Sequence, residues 1–536
     1  MIRKYAIIIT AVFLLSLLVA AYKSPQLFVT SHSCQSCHNG LATPLGEDVS
    51  IGVDWRSSMM AHSSRDPYWQ AAVRRETLVH PSAEAVIEDE CSACHMPMAR
   101  YSANAAGEKG TIFGHLPIVR AATHMDQLAA DGVSCSMCHQ IRKDKLGERE
   151  SFTAGFVVDS ETALGEREIF GPHDVDEGRK SLMKSASLFI PYQAEHIQSS
   201  ELCASCHTLI THALDDDGEV IGEFPEQVPY LEWKHSSYSG SRSCQSCHMP
   251  EVEGKMMISG VLGKDREQFS RHVFRGGNFL MPRILNGNRH ELGVAALPQE
   301  LDTTARRTTE HLETSSAKID ILDAKVADGR LRVEVRIKNL AGHKLPSAYP
   351  SRRTWIRFAV HDEQDNLIFE SGRINPDGSI AGNDNDRDKH LFEPHFEEIS
   401  SAEDVQIYEP IMAGPDGKVT TVLLSAIRYL KDNRLLPDGF VKETAEEDCA
   451  VHGEARHDGD FQGGGDRIVY AVPVPAGKGP FMVRAALWHQ PIGYRWAHNL
   501  EDQDAAEISR FVSYFNAFSA SSAMALASTE ITIRIR

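Results

Sequence analysis

The sequence predicts an α+β protein in two parts: a mostly irregular, short-helical first part, then a β-sandwich-like second part with one long helix. Three observations predict this. Five copies of the pentapeptide Cys-x-x-Cys-His fall within the first 248 of the 536 residues. Beyond about residue 315, apolar residues recur with a period of two, which is typical of half-buried strands. Residues 504–527 then return to a helical period, with Ile508, Phe511, Val512 and Phe515 on one face.

The five pentapeptides indicate the chemistry of the first part. They occupy residues 34–38, 91–95, 135–139, 203–207 and 244–248, numbered here motifs 1 to 5. In each, two thiols one helical turn apart are placed to bond a haem, and the following His to ligate its iron. Random shuffling of this composition would give about 0.01 copies. We therefore expect five covalently attached c-type haems, bonded to Cys34, Cys37, Cys91, Cys94, Cys135, Cys138, Cys203, Cys206, Cys244 and Cys247 and ligated by His38, His95, His139, His207 and His248.

Two other uses of paired cysteines explain the pattern less well. Zinc knuckles also contain Cys-x-x-Cys, but zinc does not require a His directly after every second Cys. Disulfides within each pair suit an oxidising compartment, yet they too leave the five His unexplained.

The N-terminus predicts export. A basic start at residues 1–4 precedes an apolar run at residues 5–22, so residues 1–22 are a signal peptide or an N-terminal anchor. Cleavage after Ala21 fits the small residues there, and no second long apolar run follows. We expect a periplasmic protein, with membrane anchoring or an extracellular location as alternatives.

The net charge argues against nucleic acid as a partner. At pH 7 the chain carries a formal charge of -19, which repels nucleic acid and favours basic patches on protein partners. The expected partners are redox proteins, such as a membrane quinol oxidase or an outer-membrane complex.

The domain boundary is predicted near residue 315. Residues 23–315 form the haem domain, in which haems replace apolar side chains as the core and little regular structure is needed. Residues 316–536 form the β-rich domain. Its clearest signal is the alternation of Leu331, Val333, Val335 and Ile337 after Asp328-Gly329, a dipeptide typical of a hairpin turn.

The chain resembles the exported multihaem c-type cytochromes that join a haem-rich N-terminal half to a β-rich C-terminal half. Besides the motifs, the resemblance rests on Cys-His-Met-Pro at 94–97 and 247–250, Asp-Gly-Val-Ser-Cys at 131–135, Tyr-Leu-Glu-Trp at 230–233, Gly-His-Lys-Leu-Pro at 342–346, Tyr-Pro-Ser-Arg-Arg at 349–353 and Lys-Asp-Asn-Arg-Leu-Leu-Pro at 431–437. It covers nearly the whole mature chain and implies respiratory electron transfer in the cell envelope.

The sixth ligand of each iron decides what the haems do. A His or Met there leaves a haem that only passes electrons, whereas an open position lets a small molecule bind. The candidate sixth ligands are Met60, His62, His115, His124, His196, His272 and His343. His343 is notable because it comes from the β-rich half, and the resemblance implies a loop that delivers a ligand to a haem of the other half.

Two weaker features remain. The stretch Asn-Asp-Asn-Asp-Arg-Asp at 383–388 places oxygen atoms at alternate positions, which suits Ca²⁺, although a solvated acidic turn explains it better. Cys449 is the one Cys outside the motifs and is expected to be a buried, inert thiol.

These observations favour a non-catalytic electron carrier. An alternative is a multihaem oxidoreductase acting on a small nitrogen or sulfur compound. Against it, all five motifs end in His, with no Cys-x-x-Cys-Lys variant of the kind that marks the catalytic haem of pentahaem nitrite reductases. A further alternative is a surface cytochrome whose β-rich half docks to a larger complex.

Overall fold

The computed structural model describes residues 26–475 and 479–534. The predicted export segment, residues 1–22, lies outside the described residues. Within the described ranges, no helix is both long and apolar enough to cross a membrane.

The first part of the chain consists of short helices joined by irregular segments and small strand pairs. Its α-helices are His32–Gln35, Ile51–Arg56, Pro67–Val79, Glu84–His95, Pro97–Ala105, His124–Ala130, Cys135–Cys138, Glu177–Ser187, Ser200–His207, Pro229–Lys234, Cys244–His248, Leu280–Gly287 and Pro298–Ser315. Its strands are Arg167–Gly171, Phe189–Gln193, Leu209–Leu214, Val220–Gln227, Glu251–Val252, Met256–Met257, Asp265–Arg266 and Phe269–Ser270. Every motif therefore lies within or at the end of a short helix.

The helix Pro67–Val79 shows how local sequence positions the site. The Asp66 carboxylate accepts hydrogen bonds from the backbone amides of Tyr68 and Trp69, and Pro67 occupies the first turn. Both features favour a helix start, because the first amides have no partner within the helix. The helix buries Tyr68 and Trp69, whose side chains line the central cavity described below.

The second part of the chain is built from two larger sheets. One has the order Glu398–Ile399, Gly465–Pro473, Arg330–Asn339, Ala317–Ala327; the other has the order Leu367–Ser371, Arg353–His361, Phe481–Gln490, Met524–Ile533, with Ile407–Tyr408 also paired to Arg353–His361. A three-stranded sheet of Val419–Thr420, Pro410–Ala413 and Arg428–Asp432 lies beside them. The helices of this part are Asp384–Arg387, Tyr494–His498 and Ala506–Phe518.

The two larger sheets pack through their alternating apolar faces. Leu331, Val333, Val335 and Ile337 are all fully buried, as the period of two predicts. Across the interface, the Phe358 and Tyr470 rings stack with centroids 3.9 Å apart. The α+β fold with a sandwich-like second part is therefore confirmed.

The turn at Asp328-Gly329 also forms as predicted. Both residues have positive φ, 52° and 71°, and Arg330 pairs directly with Ala327. Two successive positive φ values match the twist of the flanking strands, which is why Asp-Gly is favoured in such hairpins.

The predicted long helix over residues 504–527 is shorter than expected. The helix ends at Phe518, and Met524–Ile533 is a strand paired with Phe481–Gln490. Residues such as Ala525 and Ala527 have helical propensity, but the edge of the sheet offers them a full ladder of hydrogen bonds, and this tertiary pairing prevails.

The acidic stretch at 383–388 is not the solvated turn that we expected. Asn383 caps the short helix Asp384–Arg387, and the Asp386 carboxylate forms a buried ion pair with Arg353, at 2.7 Å. Asp384 pairs instead with Arg387. These oxygens have separate partners, so the structure gives the calcium alternative no support.

Candidate functional site

A single cavity of about 1480 Å³ runs through the first part of the chain. All ten motif cysteines and all five motif histidines line its wall. None of the described cysteines is in a disulfide. Residues from the second part, including His343, Arg352 and His489, close one side of the cavity.

The motif histidines are oriented by backbone carbonyls. The Nδ1 atom of His38 lies 2.6 Å from the Ile258 oxygen, and that of His139 lies 2.6 Å from the Phe170 oxygen. The corresponding distances for motifs 2 and 5 are 3.0 Å, to Ser63, and 2.5 Å, to Arg275. A carbonyl only accepts, so in these four rings Nδ1 carries the proton and Nε2 presents a lone pair, as in metal-ligating histidines.

Two motif histidines face a second imidazole across the cavity. The ring centroids of His139 and His272 are 6.3 Å apart, with 21° between the ring planes. Those of His248 and His343 are also 6.3 Å apart, with 11° between the planes. His272 and His343 are held in the same way as the motif histidines. His272 Nδ1 lies 3.1 Å from the Ser270 oxygen, and His343 Nδ1 lies 2.8 Å from the Lys344 oxygen.

This spacing fits one metal ion between each pair. With about 2.0 Å from the metal to each Nε2 and about 1.1 Å from each nitrogen to its ring centroid, two opposed imidazoles have centroids about 6.2 Å apart. Burial lowers the pKa of His272 to about 3 and that of His248 to about 4. Both rings are therefore neutral at pH 7, which is the form that binds a metal.

The loop that carries His343 is held against the first part of the chain by polar contacts. The Glu232 carboxylate, fully buried, accepts hydrogen bonds from the Lys344 amide at 3.1 Å and the Ser347 hydroxyl at 2.6 Å. A side chain at Gly342 would lie within 2.8 Å of Tyr238, so glycine permits the close approach. The second part thereby places an imidazole in the cavity.

The other candidate ligands are placed differently. Met60 lines the cavity. His62 is buried outside the cavity wall. His115, His124 and His196 do not line the cavity: His115 pairs with Asp126 at 2.8 Å, His124 is exposed at the start of a helix, and His196 Nε2 lies 2.8 Å from the Ile141 oxygen.

Four further histidines line the cavity and were missed by the sequence analysis: His173, His212, His311 and His489. His212 follows motif 4 by five residues and the other three are distant from any motif, and none of the four belongs to a recognisable motif of its own. His311 is the most informative, because its centroid is also 6.3 Å from that of His248. The Nε2 of His489 is instead occupied by the Gly277 oxygen, at 3.0 Å.

Contacts between thiols show which motifs are neighbours. Cys34 of motif 1 contacts Cys135 of motif 3, and this hydrogen bond lowers the pKa of Cys34. Cys206 of motif 4 contacts Cys94 of motif 2, which lowers the pKa of Cys206.

Motif 4 has two further neighbours. Cys203 contacts Cys244 of motif 5, and this hydrogen bond raises the pKa of Cys203 well above its usual value. Burial, and after it the charge of Cys206, raises the pKa of Cys138 in motif 3 to about 12. Motif 4 therefore lies beside motifs 2, 3 and 5, whereas the thiol contact of motif 1 is with motif 3.

Buried ionisable side chains form another part of the cavity wall. Burial, and after it the charge of Glu76, raises the pKa of Glu226 to about 8. Burial lowers the pKa of Arg352 to about 10; Arg352 Nη1 donates to the Ser347 oxygen at 2.9 Å, and among the described residues Arg352 has no carboxylate partner. The Tyr68 and Tyr349 rings meet edge to face, with centroids 5.9 Å apart.

Outside the cavity, His395, Asp458 and Asp466 are buried together in the second part of the chain. The amides of Gln406 and Asn433 donate to His395 Nδ1, so Nε2 carries the ring proton and donates to Asp458 at 3.0 Å. This hydrogen-bond network accounts for the cluster without a metal ion.

Comparisons with known proteins give a fold relation. No family model and no curated protein matches the chain. A solved structure, the penta-heme cytochrome c552 from Thermochromatium tepidum, superposes with a TM-score of 0.51 at 14% sequence identity. The match covers 95% of this chain and 100% of that chain. The two proteins therefore share an overall fold over nearly their whole lengths.

Proposed function

We propose that the protein is an exported pentahaem c-type cytochrome that relays electrons between redox partners in the cell envelope during respiration. The observation that carries the proposal is the pair of opposed, nearly parallel imidazoles at motifs 3 and 5, each with centroids 6.3 Å apart. An iron that is held by two imidazoles suits electron transfer, because no position is left for a substrate.

The spacing of the rings also argues against zinc. Two imidazoles on a tetrahedral ion have centroids only about 5 Å apart, because the angle between the ligands is near 109°. The observed spacing of 6.3 Å is wider than that, and His248 and His343 would be the residues to hold the iron of a haem at motif 5. A cavity lined by all ten thiols gives each haem its two attachment points.

When bound, the haems supply reversible one-electron transfer. The chain itself fixes the rings and excludes water. Backbone carbonyls hold the Nδ1 protons of four motif histidines, which keeps each Nε2 directed at the metal and raises its basicity. Burial of the motifs among apolar side chains limits the reorganisation of solvent when charge moves.

The thiol contacts support a branched order of haems. Motif 1 adjoins motif 3, motif 3 adjoins motif 4, and motif 4 adjoins both motif 2 and motif 5. The haem at motif 4 is then a junction, and the haem at motif 1 is the end of the longest arm. The net charge of -19 favours partners with basic docking surfaces.

The first test of this function is haem counting. Mass spectrometry of the denatured mature protein is expected to show five haem additions, about one for each motif, because thioether bonds survive unfolding. The Cys94→Ser and Cys138→Ser variants are each expected to lose stable attachment of one haem. Zinc, or disulfides in place of haem, would exclude the proposal.

A second candidate function is small-molecule reduction at motif 4. Among the described residues, no aromatic or His ring faces His207 as His343 faces His248. Arg352, a half-buried cation without a carboxylate partner among the described residues, lies close enough to His207 to lower the pKa of its ring after the effect of burial. An open iron beside such a cation would suit a small anion such as nitrite.

Carbon monoxide and azide test the second candidate. If motif 4 has an open iron, one of the five ferrous haems is expected to bind carbon monoxide, and Arg352→Gln is expected to weaken azide binding to the ferric protein about tenfold. The matched control is Arg306→Gln, an exposed residue paired with Glu310. If none of the five haems binds either ligand, small-molecule reduction is excluded and electron relay is the function that remains.

A further inference from the structure

Three imidazoles converge at motif 5. His248 faces His343 at 6.3 Å between centroids with 11° between the planes. It also faces His311 at 6.3 Å with 71° between the planes. His311 belongs to the helix Pro298–Ser315 of the first part, whereas His343 belongs to a loop of the second part. Two imidazoles from different parts of the chain are therefore equally distant from one motif histidine.

His311 differs from His343 in its hydrogen bonding. His343 Nδ1 is held by the Lys344 oxygen at 2.8 Å, whereas His311 Nδ1 is buried and has no hydrogen-bond partner among the described residues. A buried ring nitrogen without a partner is unfavourable. Because His311 also lines the cavity, no hydrogen bond at Nδ1 competes with a ligand there.

The helix that carries His311 is anchored in the first part of the chain. Its residues Thr308 and Leu312, which precede and follow His311, are buried. Arg307 forms an ion pair with the buried carboxylate of Asp54 at 2.9 Å. His311 therefore stays beside motif 5 even when the loop that carries His343 moves. The loop depends on different contacts, those with Glu232 and Asp432.

We propose that His311 is a reserve axial ligand for the iron at motif 5, which replaces His343 when that loop withdraws. This proposal rests on the proposed function, because it requires a haem at motif 5. It makes the second part of the chain a ligand donor whose withdrawal changes the ligand geometry of one haem without opening its iron. The haem then keeps transferring electrons at an altered potential and does not become a site for small molecules.

Low-temperature EPR of three variants tests the proposal, with haem counted in each by mass spectrometry. His343→Ala is expected to keep the wild-type number of low-spin irons, one with a more anisotropic signal because its ligand planes are nearly perpendicular. His311→Ala alone is expected to match the wild type. The His311→Ala/His343→Ala double variant is expected to show one high-spin iron more than the wild type, and that iron should bind carbon monoxide. His290→Ala, an exposed position, is the matched control.

Contrary outcomes separate this proposal from the proposed function. A high-spin iron in His343→Ala that the wild type lacks, with five haems present, would overturn the reserve ligand and leave the cytochrome assignment intact. An additional high-spin iron in His311→Ala alone would make His311 the resident ligand, which also overturns the proposal. Absence of haem from motif 5 in the wild type would exclude both the reserve ligand and the proposed pentahaem function. If His343→Ala folds poorly, His343→Leu keeps the side-chain volume and gives the same comparison.

Discussion

Replacement of Arg434 by methionine is expected to destabilise the folded protein by about 3–5 kcal/mol, because it leaves the buried Glu232 carboxylate without a cation and removes one of the two cations that pair with Asp432. Arg434 lies 2.9 Å from Glu232 and 2.8 Å from Asp432. All three side chains are at most 5% exposed. Although burial alone would raise it, Arg434 and Lys344 hold the pKa of Asp432 well below its usual value. That stabilisation is complete at pH 7 and decreases only as the pH falls below about 4.

The measurement is equilibrium unfolding by denaturant at pH 7 on the haem-loaded protein. Arg467→Met is the matched control, because Arg467 pairs with Glu334 at 3.4 Å and the two side chains are 51% and 33% exposed. That surface pair is expected to contribute less than about 1 kcal/mol. Equal effects of the two substitutions would refute the buried network. Since Glu232 also anchors the His343 loop, Arg434→Met should in addition alter the EPR signal of one haem.

The features that the sequence predicted are those encoded locally. The five motifs are visible because covalent attachment requires two thiols and a His at fixed short spacing. The hairpin at Asp328-Gly329 is visible because positive φ at two successive residues restricts the choice of residue. Strand alternation around Val333 and Val335 follows from the two faces of a sheet. None of these features depends on distant parts of the chain.

The features that were mistaken or missed depend on tertiary contacts. Residues 524–527, which we expected at the end of a helix, belong to a strand because an edge of the sheet is available to them, which local propensity does not record. His311 is 63 residues from His248 in the chain, and nothing in the intervening sequence links them. Candidate ligands chosen by closeness to a motif, such as His124 and His196, lie outside the cavity wall: His124 is exposed, and His196 Nε2 lies 2.8 Å from the Ile141 oxygen.

The placement of His343 depends partly on local sequence and partly on tertiary contacts. The Gly-His-Lys-Leu-Pro segment suggested a ligand through its resemblance to a family loop, and the structure places the ring 6.3 Å from that of His248. Its orientation depends on Asn339, which donates to the His343 oxygen at 2.8 Å, and on the Lys344 contacts with Glu232 and Asp432. The orientation of this candidate ligand thus relies on buried charges shared by both parts of the chain.

Removal of the haem at motif 4 is expected to disrupt electron distribution far more than removal of the haem at motif 1. The Cys203→Ser/Cys206→Ser variant lacks the proposed junction, so motifs 2 and 5 lose their neighbour and the arm through motif 3 is cut off. The Cys34→Ser/Cys37→Ser variant lacks only the end of that arm. The measurement is the rate at which electrons equilibrate among the remaining haems after laser-flash reduction by a photoexcited dye. This rate should fall at least about tenfold in the first variant, equivalent to about 1.4 kcal/mol in the barrier. In the second variant it should stay near the wild-type rate.

Both variants must be compared at equal haem content, with four haems each by mass spectrometry. Where the motif 4 variant does not accumulate, His207→Met retains both thiols and raises the potential of the junction iron, because a thioether ligand favours the ferrous state. His38→Met then serves as the matched change at the end of the arm. Similar equilibration rates in the two members of either pair would mean that the haems are not connected through motif 4. The thiol contacts would then reflect only close packing, and electrons would enter and leave each haem independently.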